Sequence, residues 1–352
     1  MRIAAADFLT GIEFLDVIGK KSLSSEFFRV KSGRGEVSLA LAGDFLGEVR
    51  IAAETDSTVW TAFIARKPLR TFLGKGFGDL ALRILKTDTE VRIKGGRREA
   101  KFTFPAISPT GYGTLPPDLQ EVKIPISSEL CSALCIASKY CTEDAEIPGL
   151  SLVHIFKSGK VVMATNRLSA FQASFGDTLD ADVGIPPKFV PLLSAGDCLN
   201  ISAYGVRFLS ANGWLLHLSS EDALKFPLAK LSAMFDAAKQ WKTKVRLSRE
   251  EFLGAIDRLA KLGADIAVAN VTGLKGETVV RLSSVSDSAT FIEKVPALRP
   301  LSGDLAESFL LPSIRPFVAE SKAEDIAIAW EPGGPYRFTD GSTRILISPR
   351  SA

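Results

Sequence analysis

The chain has 352 residues, 46% of them hydrophobic and 24% charged, with a formal net charge of +3. That composition excludes a disordered polymer, and the length predicts two or three domains, each large enough to bury its own core. No apolar run reaches the ~18 residues that cross a bilayer, and Met1-Arg2-Ile3-Ala4-Ala5-Ala6-Asp7 lacks the apolar stretch of a secretory signal, so a cytosolic protein with no membrane partner is expected.

The first third opens with a predicted amphipathic helix. Phe8, Ile12, Leu15 and Ile18 recur at three- and four-residue steps behind an Asp7 cap. The loop Gly19-Lys20-Lys21-Ser22 ends it. Strands are predicted over 26–30, 36–41, 47–52 and 58–64, then a helix over 66–73, then strands over 80–85, 90–94 and 99–104. The proline- and glycine-rich run 108–117 reads as a linker.

The second third gives a strand over 121–125, a helix over 127–140, and strands over 150–156, 160–165 and 171–175. The last third starts with a strand over 244–247. Ser248 followed by Glu251 is the capping-box spacing, and the helix it opens runs to about Leu262, where Gly263 stops it. Strands over 265–272, 277–284 and 289–295 follow.

A block of about forty residues occurs three times at a spacing of about 120, over 64–105, 185–227 and 310–349. Each copy opens with a strand end and a helix with proline near its start, continues in alternating strands, and stops at Pro105, Pro227 or Pro349. Pro191 and Pro316 each lie four residues beyond the proline that opens their block helix, a position that kinks or shortens a helix. The order is therefore helix, strands, helix, strands in each third. The expected fold class is α+β with antiparallel sheets, in three tandem domains over 1–117, 118–241 and 242–352.

Catalytic vocabulary is sparse. Cys131 and Cys135 fall four apart on a predicted helix with Cys141 just beyond, but neither CxxC spacing nor a neighbouring histidine accompanies them, so buried thiols are expected and no metal. Gly74-Lys75-Gly76-Phe77-Gly78 follows a helix, where a phosphate loop would follow a strand. The acid pairs Asp180/Asp182 and Glu324/Asp325 sit at loop-like positions. With only His154 and His217 in the chain, an acid–base enzyme is disfavoured and no cofactor is expected.

Basic residues recur on or beside the predicted helices: Lys20 and Lys21, then Arg66, Lys67 and Arg70, then Lys188, Arg249, Arg258 and Arg315. On one common surface they would contact phosphates without reading sequence. Ordinary solvated helix surface is the competing explanation.

The three-fold order resembles the bacterial DNA polymerase sliding clamp, the beta subunit of the replicative polymerase. Local pieces carry the resemblance. Val59 to Leu73 is similar to the clamp's first strand-to-helix step, and Gly184-Ile185-Pro186-Pro187-Lys188-Phe189-Val190 to the second. Val161 to Leu168 resembles a strand reading Ala-Thr-Asp-Gly-His-Arg-Leu, and Leu224 to Pro227 the Arg-Phe-Pro that closes the second domain. Arg344 to Arg350 resembles the tail that ends in Met-Pro-Met-Arg-Leu.

The resemblance implies a non-enzymatic processivity factor. It would be a head-to-tail homodimer whose ring holds double-stranded DNA, with helices inside and sheets outside. DNA polymerase and clamp loader would dock by short peptides between the second and third domains. By position, Ile147 and Thr165 form one wall of the groove with Arg167 and Leu168 nearby, Pro227 and Leu231 the floor, and Ile347 and Pro349 the rim. Ring closure would bring Phe102 and Phe104 against the helix end at Leu259 and Leu262. The sequence departs from the pattern where Asp-Gly-His is reduced to Asn166, and where the tail ends Arg350-Ser351-Ala352. A clamp-shaped mobile-element or repair protein with another partner, and a β-rich enzyme or small-ligand binder, are the alternatives.

Overall fold

The computed structural model describes residues 1–19, 26–43, 45–55, 59–73, 81–87, 90–95, 100–105, 123–142, 147–157, 160–176, 182–202, 205–210, 213–218, 226–262, 266–274, 277–285, 290–298, 305–331 and 334–348. The first third gives β1 (Arg2–Ala4), α1 (Ala5–Gly19), β2 (Phe27–Ser32), β3 (Glu36–Ala42), β4 (Phe45–Ala52), β5 (Trp60–Ala65), α2 (Arg66–Leu73), β6 (Ala81–Lys86), β7 (Glu90–Gly95) and β8 (Ala100–Pro105). The second gives β9 (Lys123–Pro125), α3 (Ser128–Ala137), β10 (Val153–Phe156), β11 (Val161–Thr165), β12 (Ser169–Ser174), β13 (Val183–Ile185), a 3-10 helix (Pro187–Leu192), β14 (Cys198–Ser202), β15 (Gly205–Leu209) and β16 (Trp214–Leu218). Helix α4 (Leu228–Lys239) leads into the last third. That third gives β17 (Val245–Ser248), α5 (Arg249–Lys261), β18 (Ile266–Leu274), β19 (Glu277–Val285), β20 (Thr290–Pro296), β21 (Leu305–Leu310), α6 (Leu311–Glu320), β22 (Asp325–Trp330), β23 (Tyr336–Thr339) and β24 (Thr343–Ile347).

Apart from α4, each third runs strand, helix, four strands, helix, three strands. The hydrogen-bonding order repeats as well. The four-strand segments pair as β5-β2-β3-β4, β13-β10-β11-β12 and β21-β18-β19-β20. The opening strand of each third joins its last three, as β1-β6-β7-β8, β9-β14-β15-β16 and β17-β22-β23-β24. Two antiparallel joins then fuse segments of successive thirds into eight-stranded sheets. In one, β4 pairs with β16 and Glu48 faces Leu215; in the other, β12 pairs with β24 and Phe171 faces Ile345. The fold is α+β with antiparallel sheets, as the sequence predicts.

The chain divides into two compact units. Unit 1 comprises residues 1–126 and 193–221, and unit 2 comprises 127–192 and 222–352. In unit 1, Phe8, Ile12, Leu15 and Ile18 of α1 are all fully buried. Glycine lets the helix approach its sheet closely. A Cβ at Gly47 would stand 3.0 Å from Leu15, and one at Gly11 would stand 3.0 Å from Ile51.

Several boundaries differ from expectation. Helix α1 starts at Ala5 directly after β1, so Asp7 lies in its first turn, where its charge still favours the helix N-terminus, and does not cap it. The predicted helix over 127–140 is α3 followed by a 3-10 turn at Ser138–Tyr140, with the Ser127 hydroxyl accepting from the Leu130 amide at 3.1 Å. Pro148-Gly149 forms a 3-10 turn, so the strand predicted from 150 begins at Val153. Pro191 sits in a six-residue 3-10 helix, and Pro316 sits inside α6, which continues to Glu320 despite the lost backbone bond. The linker 108–117, the glycine run 74–78 and Gly263 lie outside the described residues. No helix among the described residues is long and apolar enough to cross a membrane.

In unit 2, Tyr140 stacks on Phe171 at 5.6 Å and donates its hydroxyl hydrogen to the Ser313 carbonyl at 2.8 Å. Burial drives the phenol pKa far upward, so it remains a donor at any working pH. Tyr140→Phe leaves that carbonyl short of a partner. It should cost about 1–2 kcal/mol, read as a lower urea midpoint at unchanged m value. An unchanged midpoint would show that the bond contributes nothing.

Candidate functional site: an apolar groove in unit 2

The β11–β12 hairpin forms one wall of the groove. Its turn is held by short-range bonds. The Asn166 carboxamide oxygen accepts from the Leu168 amide at 3.1 Å and from the Ser169 amide at 2.8 Å, and the Thr165 hydroxyl donates to the Ser169 carbonyl at 2.8 Å. The bonds hold Arg167 at φ 76°, a left-handed conformation that costs energy for a residue with a Cβ. Arg167 and Leu168 project from the turn and are exposed.

Helix α4 forms the facing side. Pro227 stands at its N-cap position. Leu231, Phe235 and Ala238 are buried at helical spacing and join a core with Leu150, Phe156, Met163, Ala170, Phe226 and Leu346. Arg337 on β23 anchors the far end of α4. Its guanidinium donates to the carbonyls of Ala238 and Trp241, where a cation also complements the helix dipole. Between hairpin and helix lies a groove of about 280 Å³. Its apolar lining includes Leu150, Leu168, Pro227, Leu231, Met234 and Leu346, and among the described residues its charged lining residues are Arg167 and Lys230.

Five of the expected groove residues therefore meet here: Thr165, Arg167, Leu168, Pro227 and Leu231. Ile147 packs against the core beneath. Ile347 is 2% exposed and does not line the groove; its neighbours Leu346 and Ser348 do. Pro349 lies outside the described residues. Lys230, Met234, Pro335 and Leu346 went unread in the sequence. Leu346 sits on the groove because β24 places it opposite Ala170, a register set by a partner strand more than 170 residues earlier.

The basic residues are mostly engaged. Arg66 bonds Asp16 at 2.9 Å and its guanidinium lies 5.5 Å from the Phe28 ring centroid; Arg70 approaches the same carboxylate at 3.6 Å. In unit 2, Arg258 grips Glu293 at 2.7 and 3.0 Å, and Arg315 pairs with Asp257 at 2.7 Å. Arg249 donates to the last carbonyls of α6, and Lys188 lies over Phe189. Lys67 is exposed. Lys20 and Lys21 lie outside the described residues.

Of the residues expected at ring closure, Phe102 packs on Phe72 at 5.3 Å, and the side chain of Phe104 is not described. Leu259 is 0% exposed because it shares the core-facing stripe of α5 with Phe252, Ala255 and Ile256, whereas Leu262 is 51% exposed. The four cysteines are free and half-buried.

No family model and no curated protein matches the chain. Solved structures do. The DNA polymerase sliding clamp of Bacillus subtilis superposes with a TM-score of 0.84 at 17% identity, covering 100% of this chain and 98% of that one. A Helicobacter pylori beta clamp bound to a DNA ligase peptide gives 0.82 at 13% identity, with 100% of both chains covered. The Pseudomonas aeruginosa sliding clamp gives 0.78 at 14% identity, covering 100% and 99%. Along its whole length the chain has the fold of the bacterial DNA polymerase sliding clamps.

His154 underlies the groove. One ring nitrogen meets the Gly149 carbonyl at 2.6 Å, so it carries the hydrogen, and the ring packs on Phe226 at 4.2 Å. Gly149 precedes Leu150 and Phe226 precedes Pro227, so one imidazole braces two segments of the lining. Burial holds its pKa down at about 4. The unfolded chain takes up this proton near the ordinary value of about 6.5. Stability is therefore complete above about 6.5 and falls by up to about 3 kcal/mol as pH drops toward 4. His154→Gln removes the titrating group, and urea midpoints measured across that window should fall less steeply than in the parent. Parallel slopes would assign the acid sensitivity elsewhere.

Proposed function

We propose that this chain is a sliding clamp that catalyses no reaction. It encircles duplex DNA as a head-to-tail homodimer and tethers a DNA polymerase and the clamp loader by short peptides. In this reading the domains span 1–117, 118–241 and 242–352, and the peptides occupy the groove between hairpin β11–β12 and helix α4. The full-length correspondence to solved sliding clamps is the observation that carries it. The groove supports it further, since an apolar slot with few polar anchors is what a helical or extended peptide docks into.

Repetition supports the ring. The third strand of one segment joins the last strand of the next third twice, at β4–β16 and at β12–β24. The same rule applied to the last third leaves β20 to pair with β8, and each of those is an edge strand among the described strands. A second copy supplies the missing partner, and the exposed edges that would otherwise invite aggregation are closed. Phe102 on β8 then lies at the junction, with Leu262 at the C-terminal end of α5 nearby.

Inside the ring, α1, α2, α3, the 3-10 helix, α5 and α6 present the DNA-facing surface. Arg66, Arg70, Arg249, Arg258 and Arg315 already have protein partners, so exposed Lys67 carries more of the phosphate contact, alongside Lys188, Lys20 and Lys21. The resulting hold on DNA is weak, salt-sensitive and indifferent to sequence. The protein works in the cytoplasm, where the chromosome is.

The protein should have a solution mass about twice 37.9 kDa, and it should be retained on closed circular DNA after loading and be lost when the circle is cut. Equal retention on both forms would eliminate the topological mechanism. Leu168→Asp should abolish polymerase-peptide binding, because it puts a charge on the exposed groove wall, while circular dichroism shows the fold intact. Undiminished binding would place the docking site elsewhere.

A further inference from the structure

We infer that unit 1 carries a ligand site of its own, for a nucleoside monophosphate, on the face of its eight-stranded sheet that turns away from α1. Helix α1 packs on the face that carries Leu39, Val49 and Ile51. Side chains alternate along a strand, so Ser38, Glu48 and Arg50 take the opposite face. The register adds their neighbours. Lys31 pairs with Ser38 and Ser38 with Arg50, which makes one row across β2, β3 and β4. Phe63 pairs with Arg29, Arg29 with Ala40 and Ala40 with Glu48, which makes the next row. Small Ser38 and Ala40 stand between longer neighbours on both sides, and a cavity of about 690 Å³ opens along these rows.

The cations are set for an oxyanion. Glu48 is 6% exposed, and each of its oxygens takes one arginine, Arg29 at 3.4 Å and Arg50 at 3.3 Å. This buried carboxylate fixes both guanidinium groups at the cavity wall. Arg50 bonds through Nε alone, and its two terminal nitrogens have no partner among the described residues; neither has the Lys31 ammonium. Both residues are exposed. Adjacent strands lie about 4.8 Å apart, so the Cα atoms of Lys31 and Arg50 flank Ser38 at a separation of roughly 10 Å. A phosphate above the Ser38 hydroxyl is within reach of both side chains, and it suits a guanidinium fork paired with an ammonium point charge. The rest of the lining defines the rest of the ligand. Phe63 and the exposed Val59 give an apolar patch against which a flat base can lie. The Glu36 carboxylate, beside Gly33, repels a second phosphate and accepts hydrogen bonds from ribose hydroxyls. One phosphate, hydroxyl donors and a flat ring are the parts of a nucleoside monophosphate.

The test is calorimetric titration of the full chain at low salt with four probes: adenosine 5′-monophosphate, adenosine, inorganic phosphate, and a diadenosine dinucleotide whose one phosphate is a diester. The monophosphate should bind about tenfold tighter than adenosine, inorganic phosphate or the dinucleotide. Lys31→Gln and Arg50→Gln change exposed side chains and keep their stems, and each should weaken the monophosphate about tenfold. Inorganic phosphate binding as tightly as the monophosphate overturns the inference in favour of a bare anion site. Tighter binding of the dinucleotide overturns it in favour of contact with a nucleic-acid strand. No binding of the monophosphate, or binding that both substitutions leave unchanged, overturns it outright. Leu168→Asp in unit 2 should leave monophosphate binding as it is, so this site and the peptide groove stand or fall separately.

Discussion

Main-chain hydrogen bonding between edge strands of different thirds is the constraint on which the structure depends. Strands β4 and β12 would each be open edges if their third stood alone, and β16 and β24 answer them. A bare edge presents a row of unpaired N–H and C=O groups and is prone to association. Joining the segments gives each unit an eight-stranded sheet with a helix-covered core. The groove follows from the same joins: β12 carries its turn at one end, and β24 brings Leu346 alongside only because it pairs with β12.

The helices then divide the work of charge. Most arginines on α2, α5 and α6 are bound to a carboxylate or a helix end in their own unit. Such pairs are worth little as surface stabilisation, but they fix side-chain directions and lower the field that the helices present. The groove shows the opposite arrangement, with Arg167 and Lys230 left without carboxylate partners among the described residues.

Local features were legible in the sequence, and remote ones were not. The bounds of α2 and the Ser248 cap follow from residues within one helical turn, and the Ser248 hydroxyl does accept from the Glu251 amide. The threefold order was legible because each third repeats the same alternation of periodicities. Thr165, Leu168, Pro227 and Leu231 came from family resemblance, and the fold brings them together. Lys230 and Leu346 were missed because helix rotation and strand register, neither set by neighbours in sequence, decide which face they take. The Asp16–Arg66 pair spans fifty residues, so Arg66 read as a free cation until its partner was placed.

The middle third is divided between the units: residues 127–192 belong to one and 193–221 to the other. This has a consequence for birth on the ribosome. Strand β4 ends at Ala52, yet the strand that covers its edge starts at Trp214. At the usual elongation rate of ~5–20 residues per second, that edge waits roughly 8–30 seconds for its partner. The first unit cannot complete itself domain by domain as it emerges, and it must hold a half-built sheet while the start of the second unit is already being made. Translation speed and the holding capacity of chaperones thus bear on the yield of this protein as directly as its final stability does.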